Sequence, residues 1–234
     1  MSYYTLFRNL TRQGPGEVAD VAWAAAQADL TRDALICDVA CGSGADIAPL
    51  LAACPDGHVT AFDKQPHFID EAKARVGDDP RVSLRVGDMA DLGGPYDFIW
   101  CAGAVYFLGI KEALMLWRPA LHKGGAIAFS LPCWWTDTPA KPAQDFWAEY
   151  TAMTDEAGIF RQVETAGFKS IAKRCLAASA WNGYYTSLEN RIDMLRKGSD
   201  PDLQVVLDKT AEEIAIWRTH GADYGCLLSV VRPV

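Results

Sequence analysis

The stretch from residue 34 to residue 48, with the sequence ALICDVACGSGADIA, constrains the fold more than any other part of the chain. An apolar run leads into Asp38 and then into a turn of small residues that ends at Gly44, after which an apolar pattern with helical spacing begins. A buried strand, a turn that a ligand approaches closely and a helix with free N–H groups favour the binding of a nucleotide-bearing ligand. The stretch predicts such a site without identifying the nucleotide.

Strand and helix patterns alternate after this turn, which predicts an α/β fold with a doubly wound parallel sheet and helices on both faces. The predicted strands are residues 34–39, 58–62, 81–86, 96–101 and 125–131, and the predicted helices are residues 45–53, 66–75 and 111–121. Ligands of such sheets bind at the carboxyl ends of the strands. The candidate residues at these ends are therefore Asp38, Asp63, Gly87, Asp88, Cys101 and Ala102.

Further helices are predicted on either side of this region, and we expect the whole chain, residues 1–234, to form one domain. Residues 17–29 read as an Ala-rich helix within an N-terminal helical cover, residues 1–30. Residues 145–166 read as a single helix. Two more helices lie in residues 177–222, between strands at 168–176 and 224–231, and predict a lid-like insertion before the last strand.

Composition and charge indicate which kinds of substrate and partner this protein can bind. The net charge is −8 and the pI is near 5, which favours a small neutral or cationic substrate over nucleic acid. The seven cysteines are scattered without metal-ligand spacing, so we predict reduced thiols in a cytoplasmic protein and no metal site. The longest uncharged stretch, residues 98–110, is too short to span a membrane. The sequence leaves monomer and homodimer open.

Three acidic residues at strand ends fit the parts of a charged nucleoside. Asp63 is placed to accept the ribose hydroxyls, with capping of the next helix as the alternative. Asp88 is placed to accept from an adenine amine, beside Met89, which either contacts the purine or fills the core. Asp38 either meets a ligand ammonium or holds the turn through backbone N–H groups.

A dinucleotide fits the same stretch less well. Read as a dinucleotide fingerprint from Gly42, the stretch places Ile47 where close helix packing needs a small residue. The carboxylate of Asp38 would also lie beside two phosphates. A ligand that carries a positive charge at this end is favoured, and S-adenosylmethionine has an ammonium group there.

A series of motifs resembles those of the class I S-adenosylmethionine-dependent methyltransferases, over roughly residues 17–175 and the final strand. The motifs are residues 38–44, Asp63, residues 87–89, residues 96–101 and residues 121–125. Ala40 stands where the first glycine of the first motif is usual. Residues 13–16, Trp181 with Tyr184 and Tyr185, and the stretch from residue 213 to residue 225 resemble a bacterial small-molecule branch.

The resemblance implies a seven-stranded Rossmann-like sheet with an antiparallel last strand, and S-adenosyl-L-methionine as cofactor with S-adenosyl-L-homocysteine as product. It implies transfer of a methyl group by in-line displacement to an N or O atom of a small molecule. The implied cofactor-binding residues are Asp38, Ala40, Cys41, Gly42, Gly44, Asp63, Lys64, Asp88, Met89, Cys101 and Ala102.

Methyl transfer depends mainly on alignment of the acceptor, so an obvious catalytic group is not required and none is predicted. His67 is a possible base, with a solvent-facing role as the alternative. The predicted substrate residues are aromatic, which suits a cationic or apolar acceptor: Tyr4, Tyr106, Trp134, Trp135, Tyr184 and Tyr185. The alternative for about half of the aromatic residues is that they pack the added helices onto the sheet. Two other functions stay open from the sequence, a cofactor-binding regulatory protein without catalysis and a nicotinamide-dependent oxidoreductase.

Overall fold

Seven strands form one mixed sheet in the computed structural model, which describes residues 2–234 and their side chains from residue 4 onward. The strands are β1 (Leu35–Val39), β2 (His58–Asp63), β3 (Val82–Val86), β4 (Tyr96–Ala102), β5 (Leu121–Trp134), β6 (Phe168–Cys175) and β7 (Tyr224–Pro233). Their order is β3-β2-β1-β4-β5-β7-β6, and β7 runs antiparallel to both of its neighbours. The predicted doubly wound sheet with an antiparallel last strand is confirmed.

Helices surround this sheet. They are α1 (Ser2–Phe7), α2 (Val18–Gln27), α3 (Ile47–Ala53), α4 (Pro66–Val76), α5 (Ile110–Trp117), α6 (Lys141–Trp147), α7 (Glu156–Thr165), α8 (Ala178–Arg196) and α9 (Pro201–His220). The pair α8 and α9 lies between β6 and β7, as the sequence predicts.

The prediction of one helix over residues 145–166 is wrong. The structure ends α6 at Trp147 and begins α7 at Glu156. The break occurs because Asp155 caps the second helix: its carboxylate accepts from the backbone N–H of Gly158 at 2.7 Å, which satisfies one of the unpaired donors of the first turn. The eight connecting residues, 148–155, hid this start in the sequence because Tyr150 and Met153 continue an apolar pattern.

The core lies in two layers on opposite faces of the sheet. Ile36 and Cys37, adjacent on β1, point into different layers, and both are fully buried. One layer contains apolar side chains of α2, α3, α8 and α9, and the other contains those of α5 and α7. Burial on both faces explains why β1 reads as a continuous apolar run rather than an alternating one.

The N-terminal segment is fastened over the carboxyl edge of the sheet. Helix α1 packs against α8 and α9, and the side chain of Arg191 donates to the carbonyl oxygen of Thr5 at 3.1 Å. On the other side, Arg75 of α4 donates to the carbonyl oxygen of Thr11 at 2.7 Å. These contacts hold residues 2–16 above the ends of β1 and β2.

Candidate functional site

A cavity of about 700 Å³ opens at the carboxyl ends of β1, β2 and β4. Its wall combines the turn after β1, the residues that follow β2, β3 and β4, and the N-terminal segment. This is the edge at which doubly wound sheets bind their ligands, because the turns after the strands leave a crevice there.

Most of the predicted cofactor residues line this cavity. They are Asp38, Ala40, Cys41, Gly42, Asp63, Lys64, Asp88, Met89 and Ala102. Gly44 and Cys101 do not line it. Cys101 is fully buried and faces the core layer of α5. Gly44 lies behind the turn, where a Cβ atom would approach Ile47 Cδ1 to 2.8 Å, so its small size serves helix packing.

The turn after β1 has a left-handed backbone at two positions of the cavity wall, with φ of +56° at Ala40 and +53° at Gly42. Gln13 lies directly against it: its Oε1 atom accepts from Ser43 N at 2.9 Å and from Ser43 Oγ at 3.1 Å. A Cβ atom on Gly42 would collide with Gln13 Oε1. The absence of a side chain at Gly42 therefore lets the N-terminal segment close on the turn.

The carboxylate of Asp63 at the end of β2 accepts backbone donors on both oxygens. Gly42 N donates to Oδ2 at 3.0 Å, and Gln65 N donates to Oδ1 at 2.8 Å. Burial raises the pKa of Asp63, while these N–H groups oppose the rise. Each carboxylate oxygen has two lone pairs, so Asp63 retains capacity for further donors from the cavity.

Asp38 at the end of β1 is a buried carboxylate in the cavity wall, with 3% of its surface exposed. Its Oδ2 atom is buried and has no hydrogen-bond partner among the described residues. Burial, followed by the charge of Asp46, raises the pKa of Asp38 well above its usual value, and Arg12 opposes this. Buried polar atoms are normally paired, so Oδ2 marks a position for a donor of a bound ligand.

Arg12 extends from the N-terminal segment into the same wall. It forms an ion pair with Asp46, and the other oxygen of Asp46 accepts from Trp100 Nε1 at 3.0 Å. A guanidinium has five N–H donors in a planar fork, so the ion pair leaves donors for a second carboxylate. Arg12, its ion-pair partner Asp46 and the carboxyl group of Asp38 thus lie together at this end of the cavity.

The opposite end of the cavity contains an exposed ion pair. Lys64 Nζ lies 3.2 Å from Asp88 Oδ2, and Ala90 N donates to Asp88 Oδ1 at 3.0 Å. The Ala90 N–H, and then Lys64, lower the pKa of Asp88, which keeps the carboxylate charged. Met89 lines the cavity and also packs on the core, and its carbonyl oxygen accepts from Trp117 Nε1 at 2.7 Å.

Two of the predicted substrate residues, Tyr4 and Tyr106, line the cavity, together with Phe7 and Phe107. Gln65 Nε2 donates to Tyr4 Oη at 2.8 Å, which ties the N-terminal helix to the residue after β2. The ring of Tyr106 lies 4.3 Å from that of Phe107. These aromatic rings form an apolar end of the cavity.

The other predicted substrate residues lie outside the cavity wall. Trp134 belongs to β5 and its ring packs on Tyr224 at 6.1 Å, while Trp135 N donates to the carbonyl oxygen of Asp223 at 2.8 Å. Tyr184 and Tyr185 are buried in α8. These four residues pack at the added helices and the neighbouring strands, which is the alternative that the sequence left open for several of the aromatic residues.

His67 also lies outside the cavity wall. Its ring is 5.5 Å from that of Tyr4 and 4.2 Å from that of Phe68, and its Nε2 atom is buried without a hydrogen-bond partner among the described residues.

The described residues contain no group of three or more His, Cys, Asp or Glu side chains with the arrangement of a metal site. Residues 2–234 do not include a helix with the length and apolar composition needed to cross a membrane.

The sequence analysis missed cavity residues of the N-terminal segment and of the helix start after the turn. They are Phe7, Arg12, Gln13, Gly14, Pro15, Ala45 and Asp46. The break at residues 13–16 was a visible signal for a rigid turn, but no local pattern connects Arg12 with Asp46.

Comparison with known proteins gives a family and a set of structures with this fold. Residues 36–125 match the family described as "Methyltransferase domain". Among curated proteins, none matches the chain.

Solved structures of the same fold cover nearly the whole chain. A SAM-dependent methyltransferase from Geobacter sulfurreducens in complex with S-adenosyl-L-homocysteine has a TM-score of 0.86 at 16% identity, over 100% of this chain and 98% of that chain. A SAM-dependent methyltransferase from Thiobacillus denitrificans, also with S-adenosyl-L-homocysteine, has a TM-score of 0.83 at 19% identity, over 99% and 98%. YjhP from E. coli has a TM-score of 0.82 at 17% identity, over 100% and 99%.

At these identities the structures establish the fold, and the family match over β1 to the start of β5 establishes the type of domain. The predicted enzyme class and its cofactor, S-adenosylmethionine, agree with both. The match spans the turn after β1 and the strand ends that form the cavity, so residues 36–125 form a methyltransferase domain, in agreement with the predicted resemblance to the class I S-adenosylmethionine-dependent methyltransferases.

Proposed function

We propose that this methyltransferase acts on a small molecule, at an N or O atom, as a member of a bacterial small-molecule branch of the superfamily. The observation that carries the proposal is the cavity itself: it is enclosed by the N-terminal segment and ends in aromatic rings, a shape suited to a small acceptor. An acidic chain with a net charge of −8 is also a poor partner for nucleic acid.

The residues of the cavity fit the parts of S-adenosylmethionine. The unpaired Oδ2 atom of Asp38 is a site for the ammonium group, and the free donors of Arg12 are a site for the carboxylate beside it. Asp63 accepts from the ribose hydroxyls with its remaining lone pairs. Asp88 and Met89 lie at the adenine end. Structures with the same fold that contain S-adenosyl-L-homocysteine support this assignment.

The bound cofactor supplies a methyl group that its sulfonium has already activated. The chain's own residues then have three functions: to hold the acceptor in line with the methyl group, to exclude water from the cavity and to stabilise the orientation of the acceptor. Tyr4, Phe7 and Tyr106 form the apolar end that performs the first two. Effective molarities of about 10⁵–10⁸ M for well-oriented reactants show that alignment alone supplies a large part of such a rate.

We further propose that residues 1–234 act as one domain in which residues 1–30 cover the cavity and residues 177–222 form a lid-like insertion. Arg191 on α8 is bonded to α1, so movement of the insertion would be transmitted to the cavity wall through α1. The gate is then the N-terminal segment, and the insertion supports it.

Product analysis tests the proposal. The chain is incubated with S-adenosylmethionine labelled on its methyl group and a metabolite extract, and calorimetry measures the binding of S-adenosyl-L-homocysteine in parallel. We expect tight binding and label in a small N- or O-methylated product. Label in protein or RNA would contradict the small-molecule assignment, and binding without any labelled product would favour the non-catalytic, regulatory function.

A further inference from the structure

A partly buried carboxylate without a positive partner lies among the aromatic side chains of α8 and α9. Tyr185 Oη donates to Glu213 Oε1 at 3.0 Å. Burial raises the pKa of Glu213, and the Tyr185 hydroxyl alone opposes the rise, with no contribution from a cationic side chain of the described residues. Carboxylates in such surroundings are normally paired with a cation, because burial of an isolated charge is costly.

Aromatic rings pack around Tyr185, the hydrogen-bond partner of this carboxylate. We call the group the Glu213 cluster; its members are Trp147, Trp181, Tyr185, Glu213, Trp217 and Tyr224. The rings of Trp181 and Trp217 stack at 5.5 Å, and Tyr185 lies 5.4 Å from Trp217. Tyr224 stands edge-on to Trp181 at 6.3 Å. Faces of Trp and Tyr attract organic cations through their ring quadrupoles, most strongly where water is excluded.

The cluster also contains polar atoms that lack partners. Tyr224 is fully buried and Trp217 is only 8% exposed. Their polar atoms, Tyr224 Oη and Trp217 Nε1, make no hydrogen bond to the described residues. Burial, and then the nearby charge of Glu213, raises the pKa of Tyr224, and the Trp147 indole opposes the rise. Unpaired buried groups beside a partly buried carboxylate indicate a position for a polar ligand.

Ring contacts connect the cluster to the cavity. Tyr106, in the cavity wall, lies 5.8 Å from Tyr150, which lies 6.3 Å from Trp147. Trp147 in turn lies 5.6 Å from Tyr224. These contacts form a continuous row of aromatic rings from the cavity wall to the Glu213 cluster.

We infer that the Glu213 cluster binds an ammonium group of the methyl acceptor, so that the substrate is an organic ammonium compound. The inference rests on the proposed small-molecule methyltransferase function. Glu213 supplies the countercharge, the rings of Trp181, Trp217 and Tyr224 enclose the cation, and Tyr185 orients the carboxylate.

A pair of probes of equal shape tests this inference. Choline and its neutral isostere 3,3-dimethylbutan-1-ol are titrated calorimetrically into the protein in the presence of S-adenosyl-L-homocysteine. We expect choline to bind at least about tenfold more tightly than the alcohol, a difference that corresponds to about 1.4 kcal/mol. Glu213→Gln should abolish the preference, while Glu212→Gln, an exposed neighbour on α9, should keep it.

The affinity for S-adenosyl-L-homocysteine, measured in the same samples, separates the ammonium site of the Glu213 cluster from the proposed methyltransferase function. An unchanged affinity for S-adenosyl-L-homocysteine in Glu213→Gln shows that this variant is folded. If Glu213→Gln does not fold, Glu213→Asp, which keeps the charge, gives a second measurement. Equal affinities for the two probes, no choline binding at about 50 mM, or a choline preference that survives Glu213→Gln would overturn the inference. Failure of the wild type to bind S-adenosyl-L-homocysteine would instead contradict the proposed function, and the probe pair would still report on the cluster.

Discussion

At the scale of single residues, Asp63 combines a structural contact with a proposed ligand contact. Its carboxylate ties the turn after β1 to the residue before α4 and retains lone pairs toward the cavity. We expect Asp63→Ala to weaken the binding of S-adenosyl-L-homocysteine by about 1.5–3 kcal/mol, the range for hydrogen bonds to charged groups. Calorimetry measures the change, with Asp78→Ala, on the exposed turn after α4, as control. An unchanged affinity would remove Asp63 from the ribose role.

The buried carboxyl of Asp38 gives a pH dependence whose sign follows from its raised pKa. Between the unfolded pKa of about 4 and the raised folded pKa, the folded chain holds a proton that the unfolded chain has lost, so the stability of the ligand-free protein falls as pH rises. A ligand ammonium favours the ionised carboxylate. Binding of S-adenosyl-L-homocysteine should therefore strengthen over the same range and release a proton.

Calorimetry in two buffers of different ionisation enthalpy counts that proton. Asp46, Arg12 and Asp63 also face Asp38 and shift its pKa, so the control is a variant at Asp38 itself. Asp38→Asn should bind S-adenosyl-L-homocysteine at least about tenfold more weakly, with no proton release. The same proton release in this variant would assign the titration to another group.

Ala40 has a backbone conformation that favours glycine. Its φ of +56° lies in the left-handed region, which costs a residue with a Cβ atom about 1–2 kcal/mol. We expect Ala40→Gly to raise the free energy of unfolding by about 0.5–1 kcal/mol, after allowance for the greater freedom of glycine in the unfolded chain. Ala48→Gly, at an exposed position inside α3, should lower it by about 1 kcal/mol. Denaturant unfolding measures both, and destabilisation by Ala40→Gly would show that the alanine methyl group matters more than the strain.

At the scale of elements, the N-terminal segment completes the cavity, whereas α8 and α9 contribute no residue to its described wall. We expect Arg12→Gln to weaken the binding of S-adenosyl-L-homocysteine about tenfold and to leave 5′-methylthioadenosine, which lacks the amino-acid end, unchanged. Calorimetry compares the two ligands, with the exposed Arg8→Gln as matched control. Equal losses for both ligands would mean that Arg12 acts by holding the segment in place.

The elements themselves were largely predictable, because local patterns determine them. All seven strands and most helices follow from apolar periodicity and from Gly, Pro and Asp turns. The exceptions are instructive. Helix α1 was not predicted, since six residues rich in aromatic side chains show no helical period, and it is held by packing on α8 and α9. The start of α7 was missed because its signal is a single capping residue, Asp155.

At the scale of the whole molecule, ligand binding and folding are coupled by mass action. S-adenosyl-L-homocysteine at about 100 times its dissociation constant should stabilise the fold by about 2.7 kcal/mol. For a chain of this length that corresponds to a rise of about 5–11 °C in the unfolding midpoint. Thermal unfolding with NADH at the same concentration is the control and should show no shift. A shift with NADH alone would favour the nicotinamide-dependent function that the sequence left open.

The sequence by itself determined the sheet and the acidic strand ends, because both depend on residues close together in the chain. Asp38, Asp63 and Asp88 line the cavity since the carboxyl ends of parallel strands meet at one edge. Only the tertiary structure decided the rest of the wall. Arg12 pairs with Asp46 across 34 positions of the chain and Gln13 meets Ser43 across 30, and no local pattern specifies such contacts. The same kind of packing placed Tyr184 and Tyr185 in the core of the added helices rather than in the cavity, where the ring of Tyr185 contacts those of Tyr184, Trp181 and Trp217.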